Sequence, residues 1–345
     1  MLVGKRGADG TASLGVGEPQ LKRRQVETGN CVVDCGAYRL LASCYGDKGM
    51  RKQMEDEHVI VPSLLPFQPA LSPAYDFALF AVFDGHGGRQ SAAFVKEAFP
   101  SELAAQLLLL QQEKENGSSS SVSEEKAEAT ASAASAGSLT DREMKQVIYG
   151  ACRKVDARIA TEIPSCRDGC TAVVALFHGQ QVYVACLGDS AAYLARRKDR
   201  TLHCIPLTEV HRHWVIEEKE RIARMGGTIE NGRVNGSLEV TRSFGDISLK
   251  RYGVSCVPTV KKFTLDPALD EFVLMGCDGF WNCWTASEAL NLASEAWDKE
   301  IRSSKVHSRP VDPQNVSKQL VEHVLIDKKS QVSAPQVFSC RPHVL

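Results

Sequence analysis

No apolar run in this chain approaches the roughly 20 residues that a membrane-spanning helix needs. The opening stretch "MLVGKRGADGTASLG" has no apolar core of the kind that makes a secretory signal. Charge of one sign is lacking too. The formal net charge is −1 over 345 residues, so no global field draws the chain to nucleic acid or to an anionic membrane. Zinc-knuckle patterning is absent as well: Cys31/Cys35 and Cys166/Cys170 are poorly spaced, and no matching His pair accompanies them. The twelve cysteines therefore read as reduced thiols, most of them small hydrophobes inside apolar runs such as those around Cys186 and Cys277. What remains is an ordinary globular composition, 43% hydrophobic and 24% charged, expected in the cytoplasm and/or the nucleus as a monomer with neither nucleic-acid nor membrane partners.

Residues 1–38 are polar, Gly-rich and without periodicity, and disorder is expected there. Their basic clusters, Lys5-Arg6 and Lys22-Arg23-Arg24, have the form of a bipartite nuclear import signal. A second low-complexity stretch, residues 115–137, holds Ser, Ala and Glu with no large aliphatic beyond Val122, so it reads as an insert between helices. Before it, two helical patterns are divided by Pro100, which should break or kink the run. After it, Thr140 and Glu143 have capping-box spacing, as do Thr285 and Glu288 further on. From Cys170 onward strands dominate, with Gly179-Gln180 as a hairpin link. Strands clustered in sequence, with helices grouped between them, indicate an α+β layered domain rather than a doubly wound sheet.

Three of the apolar runs end alike. "FALFAVF" stops at Asp84, "VYVACLG" at Asp189 and "FVLMGC" at Asp278, while Glu55-Asp56 stands just before the strand "HVIV". One Asp ending a strand is usually a turn residue. Four acidic sites brought together would repel unless cations neutralised them, and oxygen-only ligands select hard ions, Mg²⁺ or Mn²⁺. Gly85 would let backbone approach a metal, and Gly87-Gly88 would permit a tight turn into the next helix. Two ions about 4 Å apart can share a bridging water and make a hydroxide nucleophile near neutral pH. His86 could then protonate a leaving oxygen, and Arg51 could hold a phosphate by bidentate hydrogen bonds. The pattern points to metal-assisted hydrolysis of a phosphoester.

Seven stretches in order, "RKQMEDEH", "FAVFDGHGG", "GCTAVVAL", "VACLGDSAAYL", "ERIARMGGTI", "RVNGSLEVTRSFGD" and "GCDGFWNCW", resemble the metal-dependent serine/threonine protein phosphatases of type 2C. The resemblance covers about Tyr45 to Gln331. It implies two stacked antiparallel β-sheets flanked by antiparallel helix pairs, with two Mg²⁺ or Mn²⁺ ions in a cleft at one edge and phosphoproteins as substrates. By position, Asp84 would bridge the ions, the Gly85 carbonyl would bind one of them, Asp278 would bind the first, and Glu55 would ligate the second, directly or through water. Asp56 would orient metal-bound waters, Arg51 would bind phosphate, His86 would act as general acid, and Asp189 would belong to a third, weaker site. Arg242 and Asp246 in "TRSFGD" are expected to be structural. The one Cys-x5-Arg spacing, Cys152 to Arg158, lies inside a helical pattern and is not a phosphate loop, and no Asp-x-Asp start occurs, so a phosphoenzyme route is not indicated.

The chain departs from the family at three places. Where an Asp ligand and a closing strand are expected, the match stops at Val332, and no Asp or Glu follows to Leu345. The expectation is a divergent tail, 332–345, a missing C-terminal strand and a weakened first metal site, with a catalytically weak phosphoprotein-binding relative as the alternative. The phosphatase domain would then span 39–331. Asn282 stands where the family usually has Asp, and Val210 where it often has Asp.

Overall fold

The fold is known from a computed structural model, which describes residues 26–34, 38–49, 51–118, 139–327 and 336–344. The basic clusters, Val332 and most of the 115–137 insert lie outside them.

Two large antiparallel sheets stack face to face. One has six strands in the order β1 (Val26–Asp34), β2 (Tyr38–Asp47), β16 (Gln336–Val344), β15 (Asp270–Gly276), β9 (Ala191–Lys198) and β10 (Thr201–Pro206). The other has five: β14 (Thr259–Thr264), β8 (Gln181–Leu187), β7 (Ala172–His178), β4 (Ala78–Phe83) and β3 (Glu57–Val61). A small three-stranded sheet joins β13 (Phe244–Gly245), β6 (Gly169–Cys170) and β5 (Gly85–His86), and β11 (Ile229–Glu230) pairs with β12 (Arg233–Val234). Helices α1 (Gln90–Ser118) and α2 (Asp141–Glu162) cover the five-stranded sheet, while α6 (Ala286–Val306) and α7 (Pro313–Asp327) cover the six-stranded one. Both capping boxes form, at Thr140/Glu143 opening α2 and at Thr285/Glu288 opening α6.

This four-layer stack explains why β4 reads as an unbroken apolar run. Its side chains alternate, and both faces are covered. Ala78, Phe80 and Val82 enter the core between the sheets, whereas Leu79, Ala81 and Phe83 pack against α1 and α2. Full burial of each large side chain contributes roughly 1.5–3 kcal/mol.

Three expectations are corrected. Pro100 does not divide the first helical run, since α1 continues through it as a single helix to Ser118. A long amphipathic helix packed on a sheet recovers by tertiary burial what one lost hydrogen bond costs. Residues 26–34, expected to be disordered, form β1, whose alternating residues Cys31 and Val33 pack on the inter-sheet core.

The closing strand is also not missing. Residues 336–344 form β16, pairing Gln336–Val344 with β2 on one side and Val337–Cys340 with β15 on the other. Without it the two halves of the six-stranded sheet would each carry an unpaired edge. Ser339 is fully buried there, and its Oγ accepts from the indole Nε1 of Trp297 on α6 at 2.9 Å. Ser339→Ala should therefore cost about 1–3 kcal/mol by stranding a buried donor. Urea unfolding would measure this, and an unchanged midpoint would show that the tail does not complete the sheet.

Candidate active site

Antiparallel register brings the acidic strand ends to one place. Glu57, opening β3, pairs with Phe83, closing β4, so Glu55-Asp56 and Asp84 leave the sheet side by side. Ala172 pairs with Leu187 and Val82 with Val173, which sets the end of β8, and hence Asp189, at the same edge. In the other sheet Gly276 pairs with Ala191, so Asp278 emerges beside Asp189. A cleft of about 760 Å³ opens here, lined by Arg51, Glu55, Asp84, Gly85, His86, Asp189 and Asp278 among others. Asp56 lies buried beneath it.

The crowding of carboxylates shows in their proton affinities. Burial, then the charges of Asp56, Asp278 and Asp189, push the Asp84 carboxyl well above the ordinary range. Burial lifts Asp56 to about 7, against a Cys277 hydrogen bond and the charge of Arg51. Burial and the neighbouring Asp278 raise Asp189 to about 6, against the pull of Arg212.

The donor set is suited to a hard divalent cation: every candidate ligand atom is oxygen, and the buried Asp56 Oδ2 has no hydrogen-bond partner. Among the described residues, though, no three His, Cys, Asp or Glu side chains already stand as a ligand shell. Part of the outer pair's capacity is taken: Arg212 forms an ion pair with Asp189 and approaches Asp278 at 3.6 Å, and Asn282 Nδ2 donates to Asp278 Oδ2 at 3.3 Å.

Gly85 is also required by packing. A Cβ there would lie 2.2 Å from the Glu55 carbonyl oxygen, so glycine lets these two segments touch. Gly87 and Gly88, at φ +72° and +148°, make the turn into α1 as anticipated. Asp168 receives that helix end, accepting from the Gln90 amide at 2.6 Å and from Ser91 Oγ at 2.9 Å.

Asp246, read from sequence as structural, belongs to the cleft. His86 Nε2 lies 2.8 Å from its Oδ2, and Ser243 Oγ donates to the same oxygen at 2.6 Å. Burial disfavours charge on His86, but the hydrogen bond and charge of Asp246 outweigh it and hold its pKa above the usual value. Gly169 makes room for the pair: a Cβ there would stand 2.2 Å from Asp246 Oδ2 and 2.7 Å from His86 Nε2. The sequence signal was the lone Asp ending "SFGD", 160 positions from His86, and nothing local ties the two.

Arg242 is structural, as expected. It shares the buried Glu218 of α3 (Ile216–Arg224) with Arg221 and Thr241, each contact 2.5–2.6 Å long at its shortest. Despite burial, those donors hold the Glu218 carboxyl far below its ordinary value. Its stabilising effect is full above the unfolded value and fades as pH falls through the depressed folded one. Glu218→Gln should cost about 3–5 kcal/mol at neutral pH by leaving two guanidiniums unneutralised. The gap from wild type should narrow below about pH 4. Denaturant titrations at several pH values would test this, and a gap independent of pH would refute it.

A family model, Protein phosphatase 2C, matches residues 45–331. The chain is 33% identical over 281 residues to "Probable protein phosphatase 2C 8" of Arabidopsis thaliana, covering 77% of this chain and 71% of that protein. It is 32% identical over 259 residues to the human "Integrin-linked kinase-associated serine/threonine phosphatase 2C", covering 73% of this chain but only 60% of that one. A Toxoplasma gondii serine-threonine phosphatase 2C of known crystal structure superposes with a TM-score of 0.70 at 21% identity, over 92% of this chain and 99% of that one, a likeness of fold. The chain belongs to the protein phosphatase 2C family. Among the described residues no helix is long and apolar enough to cross a membrane.

Proposed function

We propose that the chain is a Mg²⁺- or Mn²⁺-dependent phosphatase that removes phosphate from phosphoserine and phosphothreonine in proteins. The observation that carries this reading is the convergence of Asp84, Asp189 and Asp278 on one cleft that Arg51 and His86 also line. Asp84 would be shared by two ions, with Asp278 on one, Glu55 on the other and the Gly85 carbonyl on one of the two, and Asp56 would orient water. Bound ions act as Lewis acids and make a water acidic enough to attack phosphorus near neutral pH.

The chain's own residues do the rest. Arg51 pairs only loosely with Glu55, at 3.6 Å, which leaves its guanidinium able to grip two phosphoryl oxygens. His86 gives a proton to the departing Ser or Thr oxygen. Because Asp246 engages Nε2, Nδ1 is the nitrogen left to serve the substrate, and Asp246 is a positioning residue. No side-chain nucleophile is used, so phosphate passes directly to water.

A second reading, a phosphoprotein-binding relative with little turnover, is favoured by one observation: residues 332–345 contain no Asp or Glu. Hydrolysis of p-nitrophenyl phosphate across a Mn²⁺ titration separates the two. Turnover should need Mn²⁺, vanish on chelation and fall by at least about 10³-fold in Asp84→Asn, an estimate that treats the loss as that of the metal's whole contribution. A folded sample inert at saturating Mn²⁺ would establish the second reading.

The general acid has its own test. His86→Ala and Asp246→Ala should lower kcat on a phosphothreonine peptide by about 10²–10⁴-fold. p-Nitrophenyl phosphate, whose leaving group needs no proton, should be much less affected. Equal losses on both substrates would remove His86 from that role.

A further inference from the structure

The outer pair of carboxylates, Asp189 and Asp278, already has a cation. Arg212 reaches between them: its Nη2 pairs with Asp189 Oδ2 and stands 3.6 Å from Asp278 Oδ2, while its Nη1 bonds Glu239 Oε2 at 3.0 Å. The side chain is only 17% exposed, and its backbone is locked in place. The neighbouring His211 amide donates to the Gly188 carbonyl at 2.8 Å, and the Gly188 amide donates back to His211 Nδ1 at 3.2 Å. On the far side the Thr241 amide donates to the His211 carbonyl at 2.9 Å, and Arg212 itself bridges to Val240. Arg212 is thus clamped, residue against residue, beside the strand end that carries Asp189.

Asn282 completes the arrangement. Its amide donates to Asp278 Oδ2, the same oxygen that faces Arg212, so donors stand where a third metal would want another carboxylate. A guanidinium in hydrogen-bond contact with one carboxylate and near a second offsets part of their charge without an ion.

We infer that Arg212 is a resident cation that occupies the outer, third metal site, so that this cleft takes only the inner pair of ions. The inference rests on the metal-dependent reading above, but it concerns ion number and not turnover. The guanidinium cannot be removed by chelators, so part of the outer charge stays offset whatever the free metal concentration.

Equilibrium Mn²⁺ binding, read by the electron paramagnetic resonance signal of free Mn²⁺, tests this on the whole chain. Wild type and Arg212→Lys, which keeps a cation, should bind the same number of ions. Arg212→Gln should bind one more, or bind its weakest Mn²⁺ at least about tenfold more tightly, the scale expected from losing one charge at this distance. That gain should disappear in Arg212→Gln/Asp189→Asn. Circular dichroism melts confirm that each variant is folded. Identical isotherms for wild type and Arg212→Gln would overturn the inference, as would a gain that survives Asp189→Asn. Absence of inner ions from wild type would sink the metal-dependent reading separately, while the difference between the two isotherms would still decide this one.

Discussion

Like charges gathered in a half-buried space are the constraint around which the rest of this molecule is arranged. Asp56, Asp84, Asp189 and Asp278 sit at the joined ends of two sheets, where burial and mutual repulsion raise the proton affinity of three of them. Such a cluster persists only if something holds the strand ends together against it. Apolar layers on both faces of each sheet do so: the inter-sheet core and the two helix-covered cores surround every strand that ends in the cleft. Burial far from the chemistry thus sustains a local arrangement that electrostatics alone would disperse.

The cleft offsets this negative charge with cations at graded distances. Arg51 lies loosely beside Glu55 and is left available for an anionic group. Arg212 is clamped onto the outer carboxylates. His86 leans on Asp246, which sits in the left-handed region at φ +47°, a costly conformation for a non-glycine residue that persists only where its surroundings impose it. Ser243 and the bare face of Gly169 supply that imposition. The glycines of this region serve close approach: Gly85 against Glu55, Gly169 against the His86–Asp246 pair.

The six-stranded sheet shows how little side-chain resemblance a closing strand needs. "PQVFSC" lacks the acidic ligand and stands beside a proline, yet residues 336–344 fill the slot between β2 and β15. Backbone pairing on both sides satisfies the slot's hydrogen bonds whatever the side chains, and Ser339 meets Trp297 in its interior. Carboxylate ligands are a separate matter, since residues 332–345 contain no Asp or Glu.

Local pattern by itself determined much here. Apolar runs and turn glycines marked β4, β7 and β8, capping spacings marked α2 and α6, and three apolar runs ending in Asp pointed to an acidic centre. Each of those signals lies within a few residues of chain, where steric and hydrogen-bond preferences act directly. Tertiary structure alone decided that 26–34 and 336–344 are strands, since their edges matter only against β2 and β15. It alone joined Asp246 to His86 across 160 positions and set Arg212 on Asp189. Those contacts arise from how sheets and loops are stacked, and no spacing along the chain encodes a distance that only packing creates.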